Sequence, residues 1–322
     1  MPMELYPLQF EPIFKDRIWG GTRLKTLLNK SIPSDTTGES WELAAIGQDV
    51  SVVSKGAYKG MLLTDLLQKY PVEILGTNVY QRFGTQFPLL FKFLDAREDL
   101  SIQVHPNDLL AKERHNSFGK TEMWYVIEAE PEAKLIVGFK ENASKEAYLE
   151  HLKKKTVSSI LDAYAVKGGD VFYLETGTVH AIGAGTVVAE IQQTSDITYR
   201  IYDFDRKDAQ GNLRELHVDL ALDAIDYKKK KVKVDYTLLE NQTVSVVESP
   251  YFTVKVLDLK GGYKSLGEEE SFVVYMCTEG SLELKINEEL YGFSKGDTFL
   301  IPAALKNYEL IGKSKLLEIV IS

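Results

Sequence analysis

Residues 169–174 (Gly-Asp-Val-Phe-Tyr-Leu) and residues 296–301 (Gly-Asp-Thr-Phe-Leu-Ile) share one pattern, a Gly-Asp turn that leads into an apolar strand. A second apolar stretch lies upstream of each copy, at 123–128 in the first half of the chain and at 273–278 in the second. Matching strands and turns in both halves predict two jelly-roll barrels of related architecture.

Short runs of β-branched and aromatic residues recur between turn residues and predict a mainly β protein. The clearest predicted strands are 89–94, 124–127, 171–174, 187–191, 252–257, 272–277 and 298–301. Helical periodicity is confined to a few stretches, which we interpret as small insertions on the β scaffold. The predicted helices are 62–70, 108–115, 145–161 and 213–224. We divide the chain into a first domain of residues 1–235 and a second of residues 236–322.

The 322 residues include 38 Lys and Arg against 47 Asp and Glu, which gives a net charge of −9. This acidic balance disfavours a protein that binds nucleic acid or an anionic membrane, because such proteins need a concentrated basic face. We interpret the basic run 228–231 as a solvated linker or an edge strand.

The single cysteine, Cys277, cannot form an internal disulfide, and no apolar run approaches the ~20 residues that span a bilayer. We see no secretory signal in residues 1–17 and expect a cytoplasmic protein.

Gln103 and His105 alternate with the apolar residues Ile102 and Val104, so a strand would project both polar side chains from one face. Pro106 is expected to end this strand. Taken alone, a histidine on such a strand is more often an ordinary solvent-facing residue.

Two further segments offer groups of the kind that bind metals. Glu122 leads into the strand 123–128, and His180 follows the hairpin that begins with Gly169. Together with Gln103 and His105 they form a mixed set of nitrogen and oxygen ligands, which suits Zn²⁺ but also accepts Fe²⁺, Mn²⁺ or Ni²⁺. An open coordination position would make such a site catalytic.

The internal repeat serves as a control for this metal site. Counting from the Gly-Asp turn, Asn307 takes the place of His180, and Ser271 or Phe272 lies near the place of Glu122. We therefore expect metal ligands in the first half only. Three further histidines lie in helical, charged surroundings and are expected to be surface residues without a role: His115, His151 and His217.

Six ordered segments carry a more specific signal: 19–21 (Trp-Gly-Gly), 38–42 (Gly-Glu-Ser-Trp-Glu), 103–106 (Gln-Val-His-Pro), 119–125 (Gly-Lys-Thr-Glu-Met-Trp-Tyr), 177–181 (Gly-Thr-Val-His-Ala) and 198–203 (Thr-Tyr-Arg-Ile-Tyr-Asp). The set closely resembles the type I mannose-6-phosphate isomerases, in particular their short bacterial form. The resemblance implies two cupin-type barrels and a zinc-dependent aldose–ketose isomerase, with one zinc per chain, that interconverts mannose 6-phosphate and fructose 6-phosphate.

The resemblance also implies roles for particular residues. The active-site arginine of the family falls on Arg200, and two of its lysines match Lys120 and Lys92, which are candidate substrate-binding residues. The four zinc ligands of the family fall on Gln103, His105, Glu122 and His180.

The chemistry of the residues agrees with this reaction. Proton transfer between C1 and C2 of a sugar needs a base and stabilisation of the charge that develops on the enediol oxygens. The planar, permanently charged guanidinium of Arg200 suits the second task, and a salt bridge to a nearby aspartate is the alternative. Glu190 is the candidate proton shuttle, with a lysine-paired carboxylate or a metal-bound water as alternatives. Arg206 could join Lys120 in holding the phosphate, unless it is an exposed loop charge.

Two other functions stay open on the residues alone. Two histidines and a carboxylate on a jelly roll also resemble a non-haem iron oxygenase, which would need O₂ and Fe²⁺. The third possibility is a sugar-binding module with a structural metal, in which Arg200 and Glu190 would be dispensable. The expected partner is a small sugar phosphate, and we favour a monomer.

Overall fold

The computed structural model describes residues 2–207, 211–267 and 270–321. Antiparallel strands dominate it, as the strand-like runs of the sequence predict. In chain order the strands are β1 Ile13–Asp16, β2 Thr37–Leu43, β3 Ala45–Ile46, β4 Asp49–Val50, β5 Leu89–Ala96, β6 Ile102–Val104, β7 Glu122–Ala129, β8 Lys134–Phe139, β9 Leu161–Ala165, β10 Val171–Leu174, β11 His180–Ile182, β12 Thr186–Gln193, β13 Tyr199–Tyr202, β14 Lys233–Val234, β15 Thr243–Glu248, β16 Thr253–Ser265, β17 Val273–Ile286, β18 Glu289–Ser294, β19 Thr298–Ile301 and β20 Tyr308–Val320.

The helices are short and lie between strands. They are α1 Arg23–Thr26, α2 Leu63–Lys69, α3 Pro71–Leu75, α4 Thr77–Phe83, α5 Asp108–His115, α6 Lys145–Lys153 and α7 Val218–Ala224, with a 3-10 turn at Val157–Ser159. Helix α5 has the predicted bounds because Asn107 accepts a 2.9 Å hydrogen bond from the Leu110 amide at its start, and Asn116 takes a left-handed conformation at its end. Within the described ranges, none of the helices combines the length and apolarity needed to cross a membrane.

Three larger sheets organise the described part of the chain. A seven-stranded sheet has the order β1-β2-β5-β12-β7-β10-β14, and a five-stranded sheet has the order β13-β6-β11-β8-β9. The third sheet has the order β15-β16-β20-β17-β18, and β19 also pairs with β17. The first two sheets thus use strands up to Val234, and the third begins at Thr243, on either side of the predicted boundary at residue 235.

The two halves nevertheless share one hydrophobic core. Phe87, just before β5, stacks against Phe272 with 5.1 Å between ring centroids. The backbone of Leu8 exchanges two 2.8 Å hydrogen bonds with Leu300 of β19. Helices α2 to α4 are therefore part of this shared core, because their buried aliphatic side chains pack with residues of both halves.

The predicted repeat is visible in the hydrogen bonds, with one correction. Gly169 donates to the Val126 carbonyl and Gly296 donates to the Cys277 carbonyl, each at 2.8 Å. The two turns are therefore equivalent, and each glycine takes the positive φ that its turn requires. Cross-strand pairing places Val273, rather than Ser271 or Phe272, at the position of Glu122. A valine cannot ligate a metal, so the prediction of no ligand at this position still holds.

Two helix predictions were too long. Helix α6 ends at Lys153 because Lys155 adopts a left-handed conformation, and Leu161 then begins β9. The predicted helix 213–224 begins only at Val218, because the backbone before it runs alongside β13. The basic run 228–231 is a linker and not an edge strand, and it leads into β14.

Candidate active site

Three candidate metal ligands come together at the ends of β6, β7 and β11. His180 is the first residue of β11 and pairs across the sheet with Gln103, while His105 lies directly after β6. Glu122 is the first residue of β7. One ligand atom from each of His105, Glu122 and His180 lies within 4.8 Å of the other two, and all three residues are buried.

Both imidazoles are held with one nitrogen turned towards Glu122. Nδ1 of His105 donates to the Ile197 carbonyl and Nδ1 of His180 donates to the Thr178 carbonyl, each at 2.8 Å. The Nε2 atoms, which carry no proton in this tautomer, lie 3.5 Å and 3.4 Å from the Glu122 carboxylate, and Lys120 Nζ lies 3.2 Å from Nε2 of His105. Such backbone bonds fix the tautomer that leaves Nε2 available as a ligand.

The electrostatics of this cluster favour a bound cation. Burial lowers the pKa of both His105 and His180, and the charge of Lys120 acts in the same direction, so both rings stay neutral as ligands must be. Both Glu122 oxygens are buried and accept no hydrogen bond of regular geometry, although Lys120 Nζ lies 2.8 Å from one of them. A buried carboxylate with unused lone pairs between two neutral imidazoles fits a metal ion.

Gln103 can complete this set. Its amide lies 3.2 Å from Nε2 of His180. Because the two ends of an amide exchange by rotation about the last side-chain bond, the Gln103 oxygen can face the space between the imidazoles. The residues present therefore fit a mixed nitrogen and oxygen metal site.

A pocket of about 430 Å³ opens beside this cluster, a volume typical of small-molecule sites. Its wall includes five predicted site residues, namely Lys92, Gln103, Lys120, Glu190 and Arg200. The other lining residues are Arg17, Trp19, Glu39, Trp41, Leu94, Leu100, Ser101, Asp196, Thr198 and Arg214.

Several wall residues were not identified from the sequence. Trp19, Glu39 and Trp41 belong to two of the quoted segments, but nothing in their local pattern gave them a role. β1 and β2 bring them to the pocket because β2 pairs with β5, with Trp41 opposite Lys92. Arg17 and Arg214 carried no local signal at all, since each sits among ordinary charged residues.

Glu190 lies on the pocket wall in a network of cations. Its carboxylate accepts a 2.9 Å hydrogen bond from Lys92 Nζ and a 3.0 Å bond from Trp124 Nε1, and Lys120 Nζ lies 3.9 Å away. Burial alone would raise the pKa of Glu190, but the charges of Lys92 and Lys120 outweigh it and lower the pKa to about 2. Glu190 is therefore ionised at neutral pH and paired with Lys92.

Arg200 lies on β13 opposite Gln103. Its Nη1 donates to the Glu215 carbonyl at 2.9 Å, and its Nε is buried with no hydrogen-bond partner among the described residues. The aspartates near it in sequence that offer the alternative salt bridge are Asp196, Asp203 and Asp205. Asp203 pairs with Arg206 and Arg214, Asp205 pairs with Lys155, and the described ion pairs include none between Arg200 and Asp196. The guanidinium of Arg200 is thus available to an anion in the pocket.

Arg206 takes a different position from the other candidates. It pairs with Asp203, donates to the Asp99 carbonyl and covers the ring of Phe204. It does not belong to the pocket wall formed by the described residues. Its proposed phosphate contact would require a change in these bonds.

The fold and this site together define a class of mainly β enzyme in which a buried cluster of candidate metal ligands lies beside a charged pocket. A family model for the catalytic domain of type I phosphomannose isomerase matches residues 7–143, and one for the cupin domain of mannose-6-phosphate isomerase matches residues 242–321. The chain therefore belongs to the type I phosphomannose isomerase family.

Individual relatives match over nearly the whole chain. The mannose-6-phosphate isomerase ManA of Bacillus subtilis is 41% identical, over 96% of this chain and 97% of its own length. The mannose-6-phosphate isomerase of Streptococcus mutans is 38% identical over 97% of both chains. The crystal structure of a mannose 6-phosphate isomerase from Bacillus subtilis superposes with a TM-score of 0.87 at 36% identity, and covers 97% of this chain and 99% of its own.

Proposed function

We propose that this protein is a zinc-dependent isomerase that interconverts mannose 6-phosphate and fructose 6-phosphate in the cytoplasm. The observation that carries the proposal is the buried carboxylate of Glu122 between two neutral imidazoles, beside a pocket lined by lysines and arginines. Full-length relatives named for this activity support the substrate.

Gln103, His105, Glu122 and His180 would hold the zinc. A bound zinc would supply Lewis acidity, which polarises the carbonyl of the sugar and makes the proton on the adjacent carbon easier to remove. Nitrogen and oxygen donors without a thiolate suit this ion.

The pocket is built to receive a phosphorylated sugar. Five cations line it against three carboxylates, so a phosphate dianion is attracted to it. The cations are Arg17, Lys92, Lys120, Arg200 and Arg214, and the carboxylates are Glu39, Glu190 and Asp196. Lys120 and Lys92 remain the first candidates to hold the phosphate, with Arg206 as a third.

Arg200 would stabilise the enediol oxygens. Its unpartnered Nε is a donor already desolvated before the substrate binds, so little reorganisation accompanies charge development. Its hydrogen bond to the Glu215 carbonyl keeps the guanidinium plane fixed.

Glu190 would move the proton between C1 and C2. As a carboxylate it can accept a proton, but its pKa of about 2 makes it a weak base while Lys92 is bound to it. A phosphate that draws Lys92 away would raise the basicity of Glu190. Substrate binding would then prepare the base for its task.

A coupled assay tests this function. Mannose 6-phosphate should give fructose 6-phosphate without O₂ or any co-substrate, and glucose 6-phosphate serves as the control substrate. Failure to form fructose 6-phosphate would reject the isomerase, and a requirement for O₂ and Fe²⁺ would favour the oxygenase.

A further inference from the structure

Arg200 lies on β13, which is the edge strand of the five-stranded sheet. An edge strand leaves outward N–H and C=O groups without a neighbouring strand. At Arg200, His217 bonds both the backbone amide and the backbone carbonyl. The Arg200 amide donates to Nδ1 of His217 at 3.1 Å, and the His217 amide donates to the Arg200 carbonyl at 2.7 Å.

The acceptor at position 217 has to be a side chain. His217 directly precedes helix α7, and its own carbonyl accepts the Ala221 amide at 2.9 Å. In a regular strand pair a backbone carbonyl would accept the Arg200 amide. Since that carbonyl serves the helix, the imidazole takes over its role.

A neighbouring carboxylate favours the form of the imidazole that this bond needs. Nδ1 can accept only when the ring proton is on Nε2. Nε2 lies 3.9 Å from the Glu215 carboxylate, which favours the proton there. The Glu215 carbonyl accepts from the Arg200 guanidinium, so residues 215–217 hold both the backbone and the charged end of Arg200.

Helix α7 anchors this arrangement to the core. Ala221 is fully buried and Ile225, just after the helix, is 7% exposed, and both pack in the cluster that contains Tyr199. The position of His217 is therefore tied to the core through helix α7. With 25% of its side chain exposed, His217 is only partly the surface residue that its charged surroundings predict.

We infer that His217 is a positioning residue for Arg200: its imidazole and backbone together set where the guanidinium stands in the pocket. This inference rests on the proposed role of Arg200 in charge stabilisation. His217 itself does not line the pocket, so it acts through Arg200 and not on the sugar.

Two substitutions separate this role from simple packing. His217→Asn keeps an acceptor at about the position of Nδ1, whereas His217→Leu keeps the bulk and removes the acceptor. We expect kcat to fall about tenfold in His217→Leu, the effect of one lost hydrogen bond at a transition state, and to stay within about threefold of wild type in His217→Asn. KM for mannose 6-phosphate and zinc content should change little in both.

His115→Leu is the matched control. Nε2 of His115 bonds the hydroxyl of Tyr199, the residue next to Arg200 on the same strand, at 2.8 Å. This variant should lower the melting temperature without lowering kcat. If His217→Leu does not fold, His217→Ala replaces it in the same comparison with His217→Asn.

A double-mutant cycle with Arg200→Ala completes the test. If His217 acts through Arg200, His217→Leu should have no further effect on kcat/KM in the Arg200→Ala background. Losses that multiply, or equal losses in His217→Leu and His217→Asn, would overturn the inference. An inactive wild-type protein, or an Arg200→Ala variant as active as wild type, would instead reject the proposed function of the site.

Discussion

The hydroxyl of Tyr251 donates a 2.7 Å hydrogen bond to Oδ2 of Asp108 and so connects the C-terminal half to the loop that carries Lys120. Oδ1 of the same carboxylate accepts from the Gly119 amide at 2.8 Å and from the Gln193 amide group at 3.0 Å. The C-terminal half of the chain thus supports the pocket wall of the other half.

Tyr251→Phe should show this support directly. Loss of one hydrogen bond to a carboxylate should lower the melting temperature by about 2–4 °C and kcat/KM by roughly twofold to fivefold. Tyr291→Phe is the control, because its hydroxyl bonds the surface carboxylate of Glu289 on the same strand. If kcat/KM stays at the wild-type value in both variants, the C-terminal half does not influence Lys120.

The histidine ligands can be tested through metal content. His105→Ala or His180→Ala should lower both zinc content and turnover, because each removes one ligand from a buried site. His151→Ala is the control, since its ring bonds Thr156 on the surface of the first half. Full zinc occupancy in the first two variants would show that these histidines are not ligands.

Arg200 is tested by separating turnover from stability. Arg200→Ala should keep its zinc and its melting temperature while kcat/KM falls by roughly 10²-fold or more, the scale seen when one preorganised donor is removed. Arg200→Lys should remain strongly impaired, because a point charge cannot replace the planar fork. A marked loss of thermal stability with near wild-type turnover would favour a purely structural role.

The ion pair of Glu190 with Lys92 should make a pH-dependent contribution to the stability of the protein. Its pKa is lowered from the usual 4.5 to about 2, so the native state gains stability from the ionised form above about pH 4.5 and loses it as the pH falls towards 2. The melting temperature of wild type should therefore exceed that of Glu190→Gln at pH 7, and the difference should shrink as the pH is lowered below 4.5. A difference independent of pH would argue against the ion pair with Lys92.

The local sequence pattern correctly predicted those strands and helices whose ends are determined by residues adjacent to them. Strands 171–174 and 298–301 have their predicted bounds because a Gly-Asp turn starts each one, and helix 108–115 has its bounds because Asn107 and Asn116 cap it. The helix predicted at 213–224 was too long because the His217 amide bonds the Arg200 carbonyl of β13, 17 residues earlier in the chain. Such a long-range contact leaves no trace in the local periodicity.

The candidate metal site was easier to predict than the pocket around it. Gln103, His105, Glu122 and His180 are all of residue types that bind metals and lie on or beside predicted strands, and the structure brings them together. Arg17 and Trp41 reach the pocket only because β2 pairs with β5. The residues near them in sequence do not predict this pairing. Their place in the wall depends on sheet order, and sheet order is a property of the whole chain.

The most direct test of a zinc-dependent isomerase is metal removal and return in the wild-type protein. Purified protein should hold about one zinc per chain, and a chelator should lower formation of fructose 6-phosphate from mannose 6-phosphate by roughly a hundredfold or more. One equivalent of Zn²⁺ should then restore the rate. Undiminished turnover by protein shown to be free of metal would contradict the account.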